Sequence, residues 1–139
     1  MKDEISLKNL NDLPLFKALG FEVAYMDETS VQIRLDEKNE CYGGAYGVSG
    51  GVGINGSVIC AALEAAIGLC GHSSLGGQPA GVIEFSAKIL RIVRGGSPVI
   101  EATVDRKNHS LSFVSAKLIN TTGTICATAS GICCIAGKK

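Results

Sequence analysis

An α+β fold is predicted for this chain by three observations. Two stretches near the start, Phe21 to Met26 and Ser30 to Leu35, alternate apolar with polar or small residues, the period of a strand with one face on a core. One stretch, Gly56 to about Gly71, is apolar nearly all round, as expected of a helix buried on most sides rather than of an amphipathic surface helix. Strand-like segments then follow, joined by links too short for the helical crossovers that parallel strands require. Hairpin, buried helix and a run of antiparallel strands joined by tight turns together make an α+β pattern.

In chain order, Leu10, Leu13, Leu15, Phe16 and Leu19 give Leu7 to Leu19 the spacing of a short helix, interrupted or started near Pro14. After Gly20 the period changes to that of strands, and Asp27-Glu28-Thr29 is the turn of the hairpin. Glu37 to Asn55 is glycine-rich and aperiodic, a loop too long to be a mere connector. The helix from Gly56 has Gly68, Gly71 and the Ser73-Ser74-Leu75-Gly76-Gly77 run as terminators. The strands that follow are predicted at Val82 to Val93, Val99 to Arg106, Leu111 to Asn120 and Thr124 to Ile135. Arg94-Gly95-Gly96, Lys107-Asn108-His109 and Thr121-Thr122-Gly123 are read as the turns between them.

A length of 139 residues fits one domain, residues 1–139, with an N-terminal helix at about 7–19 and a core at about 21–136. Thirteen basic and thirteen acidic residues leave no net charge, so no global field draws the chain to nucleic acid or to an anionic membrane. Mean hydropathy is +0.28 with 46% apolar residues, an excess that suggests surface buried against another subunit. The charged start MKDEISLKNLNDLPLF does not read as a secretory signal, and no stretch reaches the roughly 18 apolar residues of a spanning helix; a cytoplasmic location is the expectation. The six cysteines include no C-x-x-C, and His72 and His109 stand apart from any cysteine pair, so zinc is not expected. Adjacent Cys133 and Cys134 point to opposite faces of a strand, and all six are read as reduced thiols serving as small apolar residues.

Gly51-Val52-Gly53-Ile54-Asn55-Gly56 spells G-x-G-x-x-G, which raises dinucleotide binding. That fingerprint needs a strand leading into the first glycine, a parallel βαβ unit and an acid about 20 residues on. The nearest strand ends at Leu35, the downstream links exclude parallel crossovers, and the count lands near Gly71 with no acid. A Walker loop is excluded by the lack of Gly-Lys-Ser/Thr. The glycines are instead expected to let the loop pass close to a ligand.

Asn55-Gly56-Ser57 with Glu64 nine residues after Asn55, the strand Phe85-Ser86-Ala87-Lys88-Ile89-Leu90-Arg91 followed by Arg94-Gly95-Gly96, and a last hairpin round Gly123 resemble a known family over about Phe21 to Ile135. The chain is identified as a member of the hotdog-fold acyl-CoA thioesterases, in the branch of the phenylacetate-pathway and 4-hydroxybenzoyl-CoA thioesterases. That resemblance implies a curved antiparallel sheet wrapped round one long central helix. In the family a His-Gly-Gly opens that helix and an Asp or Glu follows nine residues after the His. Here Asn55 stands for the His and Ser57 for the second Gly. The resemblance also gives Ser49, fifteen residues before the carboxylate, as the polar residue that orients water. Ser57, Ser86, Lys88, Arg91 and Arg94 are the further candidates for holding substrate.

Elementary chemistry supplies roles. Gly56 at a helix N-terminus offers a backbone N–H and the positive end of the helix dipole, suited to polarising a thioester carbonyl. Glu64 can activate water as a general base or attack the carbonyl to form an anhydride. A buried acid capped by hydrogen bonds to a neighbouring loop is the alternative, as helix capping is for Asn55. Eight helical residues separate Gly56 from Glu64 by about 12 Å, so one helix cannot bring both to one carbonyl. Two antiparallel helices from two chains can, with Gly56 of one opposite Glu64 of the other, in a homodimer or dimer of dimers. Arg91, Arg94, Arg106 and Lys107 are candidates for the coenzyme A phosphates, or are solvated strand-end charges. His72 suits a helix C-terminus, and His109 a turn.

The leading expectation is an acyl-CoA thioesterase acting on a small or medium acyl chain, with no cofactor other than the coenzyme A of its substrate. A non-catalytic acyl-CoA-binding module is the alternative. A hydratase or dehydratase ranks below both, because no His or Pro lies between Glu37 and Glu64 to serve as the acid's partner.

Overall fold

Proline at position 14 cannot donate to a preceding turn, and it divides the N-terminal helical stretch in two. Helix α1 (Leu7–Asn11) is capped by Ser6, whose Oγ accepts from the Asn9 N–H at 3.2 Å. Helix α2 (Pro14–Leu19) has the proline in its first turn, where the missing N–H costs nothing, and ends on Gly20 in the left-handed region. The computed structural model describes residues 6–36, 38–42, 53–94 and 96–137.

The hairpin forms as predicted from β1 (Phe21–Met26) and β2 (Ser30–Leu35). Its turn is organised by Asp27, whose Oδ1 accepts from the Thr29 and Ser30 N–H groups, both at 2.8 Å. A short 3₁₀ turn (Glu40–Tyr42) follows, then α3 (Gly56–Ser74), β3 (Ala80–Ile89), β4 (Val99–Lys107), β5 (Leu111–Ile119) and β6 (Ile125–Ile135). All strand pairs are antiparallel, in the order β1-β2-β4-β5-β6-β3. Helix α3 packs against every strand of this sheet, which is the hotdog architecture. Ile59, Leu63 and Ile67 of the helix meet Ile33, Ile100, Val114 and Leu118 of the sheet in one buried core, each such side chain contributing about 1.5–3 kcal/mol of transfer free energy.

Four expectations change. Helix α3 runs through Gly68 and Gly71 to Ser74. Gly71 is there for packing, since a Cβ on it would overlap the Cys133 thiol, and the helix ends where Gly76 and Gly77 take positive φ. At 19 residues and mean hydropathy 1.3 the helix also meets the length and apolarity of a membrane span, but the sheet that covers it marks it as a core helix. Strand β3 stops at Ile89 rather than Val93, because Leu90 and Arg91 turn to give both N–H groups to the Cys126 carbonyl, at 2.8 and 3.1 Å. The link through Arg94 and Gly96 is no hairpin turn. β3 lies at the sheet edge, three places from β4 or about 14 Å, and residues 90–98 are a crossover. Val93 in that crossover is fully buried and accepts from the Ile54 N–H at 2.9 Å.

Candidate active site

The start of α3 is fixed from both sides. Ile54 bonds to Val93, and the Asn55 N–H donates to the Tyr42 carbonyl at 2.9 Å. Gly53 carries φ +109, and a Cβ on it would overlap the Val93 carbonyl oxygen. This glycine serves the close approach of loop to crossover; Gly51 and Val52 of the same motif lie outside the described residues. The helix begins with an Asn N-cap: Asn55 Oδ1 accepts from the Ser57 N–H at 2.8 Å, and its carbonyl accepts from Val58 and Ile59. The Gly56 N–H is left without an acceptor among the described residues. One donor at the positive end of a 19-residue helix is therefore available to a carbonyl oxygen.

The apolar composition of α3 suggested burial on most sides, and the structure corrects this. Val58, Ile59, Ala62, Leu63, Ala66, Ile67 and Cys70 are buried, while a second face holding Gly56, Cys60, Ala61, Glu64, Ala65 and Gly68 is not. Glu64 is exposed, and no salt bridge among the described residues involves it. It is thus not the buried, loop-capped acid of the alternative reading. The open face runs antiparallel along edge strand β3: a Cβ on Gly56 would lie 3.1 Å from Ile89 Cδ1, and one on Gly68 would lie 3.5 Å from Val82 Cγ2. Gly56 and Glu64, eight residues apart, share this face.

From Glu64 toward the C-terminal end of the helix opens a groove of about 590 Å3, walled by Leu13 at the N-cap of α2, by Leu15 and Phe16 of α2, by Ala65, Gly68 and Leu69 of α3, and by Pro79 to Val82. His72 lies at its far end, where its Nδ1–H donates to the Gln78 carbonyl at 2.8 Å, the last-turn position expected of it. Behind the groove, burial first and then the charge of Glu64 push the Cys133 thiol up to about 11, so it is inert as a nucleophile. Burial likewise pushes Cys70 up to about 12. All six cysteines are free, and Cys133 and Cys134 differ in burial as residues on opposite faces do. Among the described residues no cluster of His, Cys, Asp or Glu has the makings of a metal site.

The basic candidates separate into two groups. Arg91 and Arg94 are exposed on the crossover that also carries Val93, at the same end of α3 as Gly56. Lys107 is at the opposite end, where its Nζ donates to the Ser74 carbonyl at 2.8 Å and caps the helix C-terminus. Arg106, beside it on β4, shares that end of the molecule. Ser86 and Lys88 are exposed on β3, while the alternating Phe85 and Ala87 pack on the core, so the pair is on the sheet face away from α3. Ser57 is exposed in the first helical turn beside Gly56. Ser49 lies outside the described residues. The groove itself was not foreseen: α2 and the first residues of β3 are more than sixty positions apart in sequence, and only the exposed leucines of α2 hinted at it.

A sequence model of the thioesterase superfamily matches residues 53–127, more than half of the chain, beginning just before α3 and ending in β6. No curated protein matches in sequence. Among solved structures, a thioesterase of Haemophilus influenzae superposes with a TM-score of 0.79 at 19% identity, covering 96% of this chain and 92% of that one. A Shewanella oneidensis protein related to the thioesterase superfamily gives 0.77 at 21% identity, covering 94% and 95%. The E. coli PaaI protein of the phenylacetic acid degradation operon gives 0.76 at 16% identity, covering 94% and 89%. At these identities the likeness is one of fold.

Proposed function

The chain belongs to the thioesterase superfamily, and on that premise we propose that it hydrolyses the thioester of a small or medium acyl-CoA at a site shared by two copies of itself. The carrying observation is the open face of α3, which presents an unaccepted N–H at Gly56 and an exposed carboxylate at Glu64, about 12 Å apart along the axis. Neither group reaches the other's substrate atom within one chain. Antiparallel apposition of two such faces brings Gly56 of one copy opposite Glu64 of the other. Edge strand β3 supports the same apposition: it lies beside that face, its outer side pairs with no strand among the described residues, and Ile83, Ile89, Leu90 and Ile92 are exposed along and after it, Ile83 at 65%.

In the proposed reaction the Glu64 carboxylate takes a proton from water as the hydroxide oxygen bonds to the thioester carbon. The oxyanion that forms is held by the Gly56 N–H and the helix dipole. Collapse breaks the carbon–sulfur bond, and the proton on Glu64 passes to the departing coenzyme A sulfur. Direct attack by the carboxylate gives an anhydride that water then cleaves, with the same products. Asn55 positions Gly56 by capping the helix, and Arg91 and Arg94 at the Gly56 end are proposed to hold the coenzyme A phosphates.

Release of free coenzyme A is measured across a panel of acyl-CoAs. Glu64→Ala and Glu64→Gln are expected to lower kcat/KM by about 10²-fold or more. Turnover that survives both substitutions removes this mechanism. A second reading, binding without turnover, is favoured by the commitment of the Asn55 Oδ1 to the helix cap. It predicts that acyl-CoA raises Tm while no coenzyme A is released.

A further inference from the structure

The proposed reaction leaves one feature unused, the groove that opens from Glu64 along α3. We infer that it is the seat of an unbranched aliphatic acyl chain of about ten carbons; this rests on the reading of Glu64 as the group that works on the thioester. Glu64 lines one end of the groove, so an acyl chain joined to the carbon on which Glu64 acts can run directly into it. Among the described residues its walls carry no Lys or Arg and, apart from Glu64, a single titratable group, His72, at the far end.

Length follows from the helix. Glu64 and His72 both line the groove eight residues apart, which is about 12 Å of axis and about the reach of a ten-carbon chain. The shape of the occupant follows from the walls. Phe16 is the one aromatic ring there among the described residues, and it is buried and packed edge-to-face on Phe21 at 5.9 Å, so it offers no free ring face to an aromatic acyl group. The floor is Ala65 and Gly68, whose small side chains leave room for methylenes close to the helix backbone. The lip is Leu13, the N-cap of α2, and Leu15 in its first turn, exposed at 43% and 60%. Leucines left in water at the rim of an apolar trench are accounted for when the trench is filled, because the chain then covers both walls.

Gly68 is the residue that sets the length limit. A leucine at that position projects into the groove one helical turn beyond Glu64 and closes it to longer chains. Two variants test this: Gly68→Leu from the floor, and Leu15→Ser from the lip, which is too exposed to unfold the protein. In the wild type, kcat/KM is expected to rise about two- to fourfold per methylene from butyryl-CoA to decanoyl-CoA and then to level off. Gly68→Leu lowers the decanoyl-to-butyryl ratio at least tenfold, and Leu15→Ser lowers it severalfold. The same substitutions are measured by thermal shift with S-decyl-CoA and S-butyl-CoA, thioethers that cannot be hydrolysed. If no acyl-CoA is turned over but S-decyl-CoA stabilises the wild type more than S-butyl-CoA does, and Gly68→Leu erases the difference, the groove assignment stands while the hydrolytic reading falls. A flat dependence on chain length in both assays, or a ratio unmoved by both variants, overturns the assignment.

Discussion

The two faces of α3 obey different rules although they share nineteen residues. On one face Ile59, Leu63, Ala66 and Ile67 are shut into the sheet, and shape decides which residue is tolerated. On the other, Gly56, Cys60, Glu64 and Gly68 line an open flank where little packing constrains them within one chain. A helix apolar on both faces, with one carboxylate on the uncovered one, is a poor surface helix and a reasonable half of a larger site. Composition alone blurred this difference, since small and apolar residues populate both faces.

Neighbouring substitutions separate the faces most sharply at residues 63 and 64. Leu63→Ala removes a fully buried side chain and is expected to cost about 2–5 kcal/mol of unfolding free energy. Glu64→Ala, one residue on, is expected to leave stability within about 0.5 kcal/mol while abolishing turnover. Urea denaturation of the two proteins reads this directly, and a large loss from Glu64→Ala would mean that its face is already packed. The two internal glycines give a smaller contrast with opposite signs. Gly71→Ala drives a methyl into Cys133 and should destabilise by about 1–3 kcal/mol. Gly68→Ala meets only Val82, at 3.5 Å, and should stabilise by about 0.5–1 kcal/mol through helix propensity. Equal signs in thermal melts would show that the helix does not distinguish its faces.

The mildest test concerns Cys60, midway between Gly56 and Glu64 on the open face. If Gly56 of one copy lies opposite Glu64 of the other, Cys60 lies opposite itself. A short bismaleimide is expected to join two chains through Cys60 in a Cys41→Ser, Cys134→Ser background, where Cys60 is the one thiol that is not buried. The covalent dimer on a denaturing gel should vanish when Cys60→Ser is added. A cross-link that persists without Cys60 contradicts the register.

Much of the fold was legible because its signals are local. The β1–β2 hairpin declared itself through alternation and a turn whose Asp27 bonds its own backbone. The existence of α3 and its start at Asn55-Gly56 followed from composition and cap chemistry. What failed depended on partners distant in sequence. Gly71 read as a stop signal until Cys133, sixty-two residues later, was seen beside it. Leu90 and Ile92 prolonged the strand pattern of β3 because exposed apolar residues on a crossover look like strand residues. Lys107 read as a candidate phosphate ligand or a solvated strand-end charge because nothing near it in sequence hints at the Ser74 carbonyl. For the candidate site, the Gly56 to Glu64 spacing was readable from helical geometry, whereas the groove arises only when α2 and the start of β3 meet α3.

The side-chain amide of Asn11 reaches across to β1, giving its N–H to the Val23 carbonyl at 3.2 Å and taking the Val23 N–H at 2.7 Å. Together with the bulge between Val23 and Tyr25, it stoppers one border of the sheet by imitating a neighbouring strand. A sheet with two open borders lengthens without limit, as fibrils do; one with a single open border can be extended once. If two copies join through β3, each spends that border on the other, and with β1 stoppered at Val23 growth would end at a closed pair. In such a pair a residue in a five-residue helix, remote from the proposed chemistry, would set the ceiling on assembly.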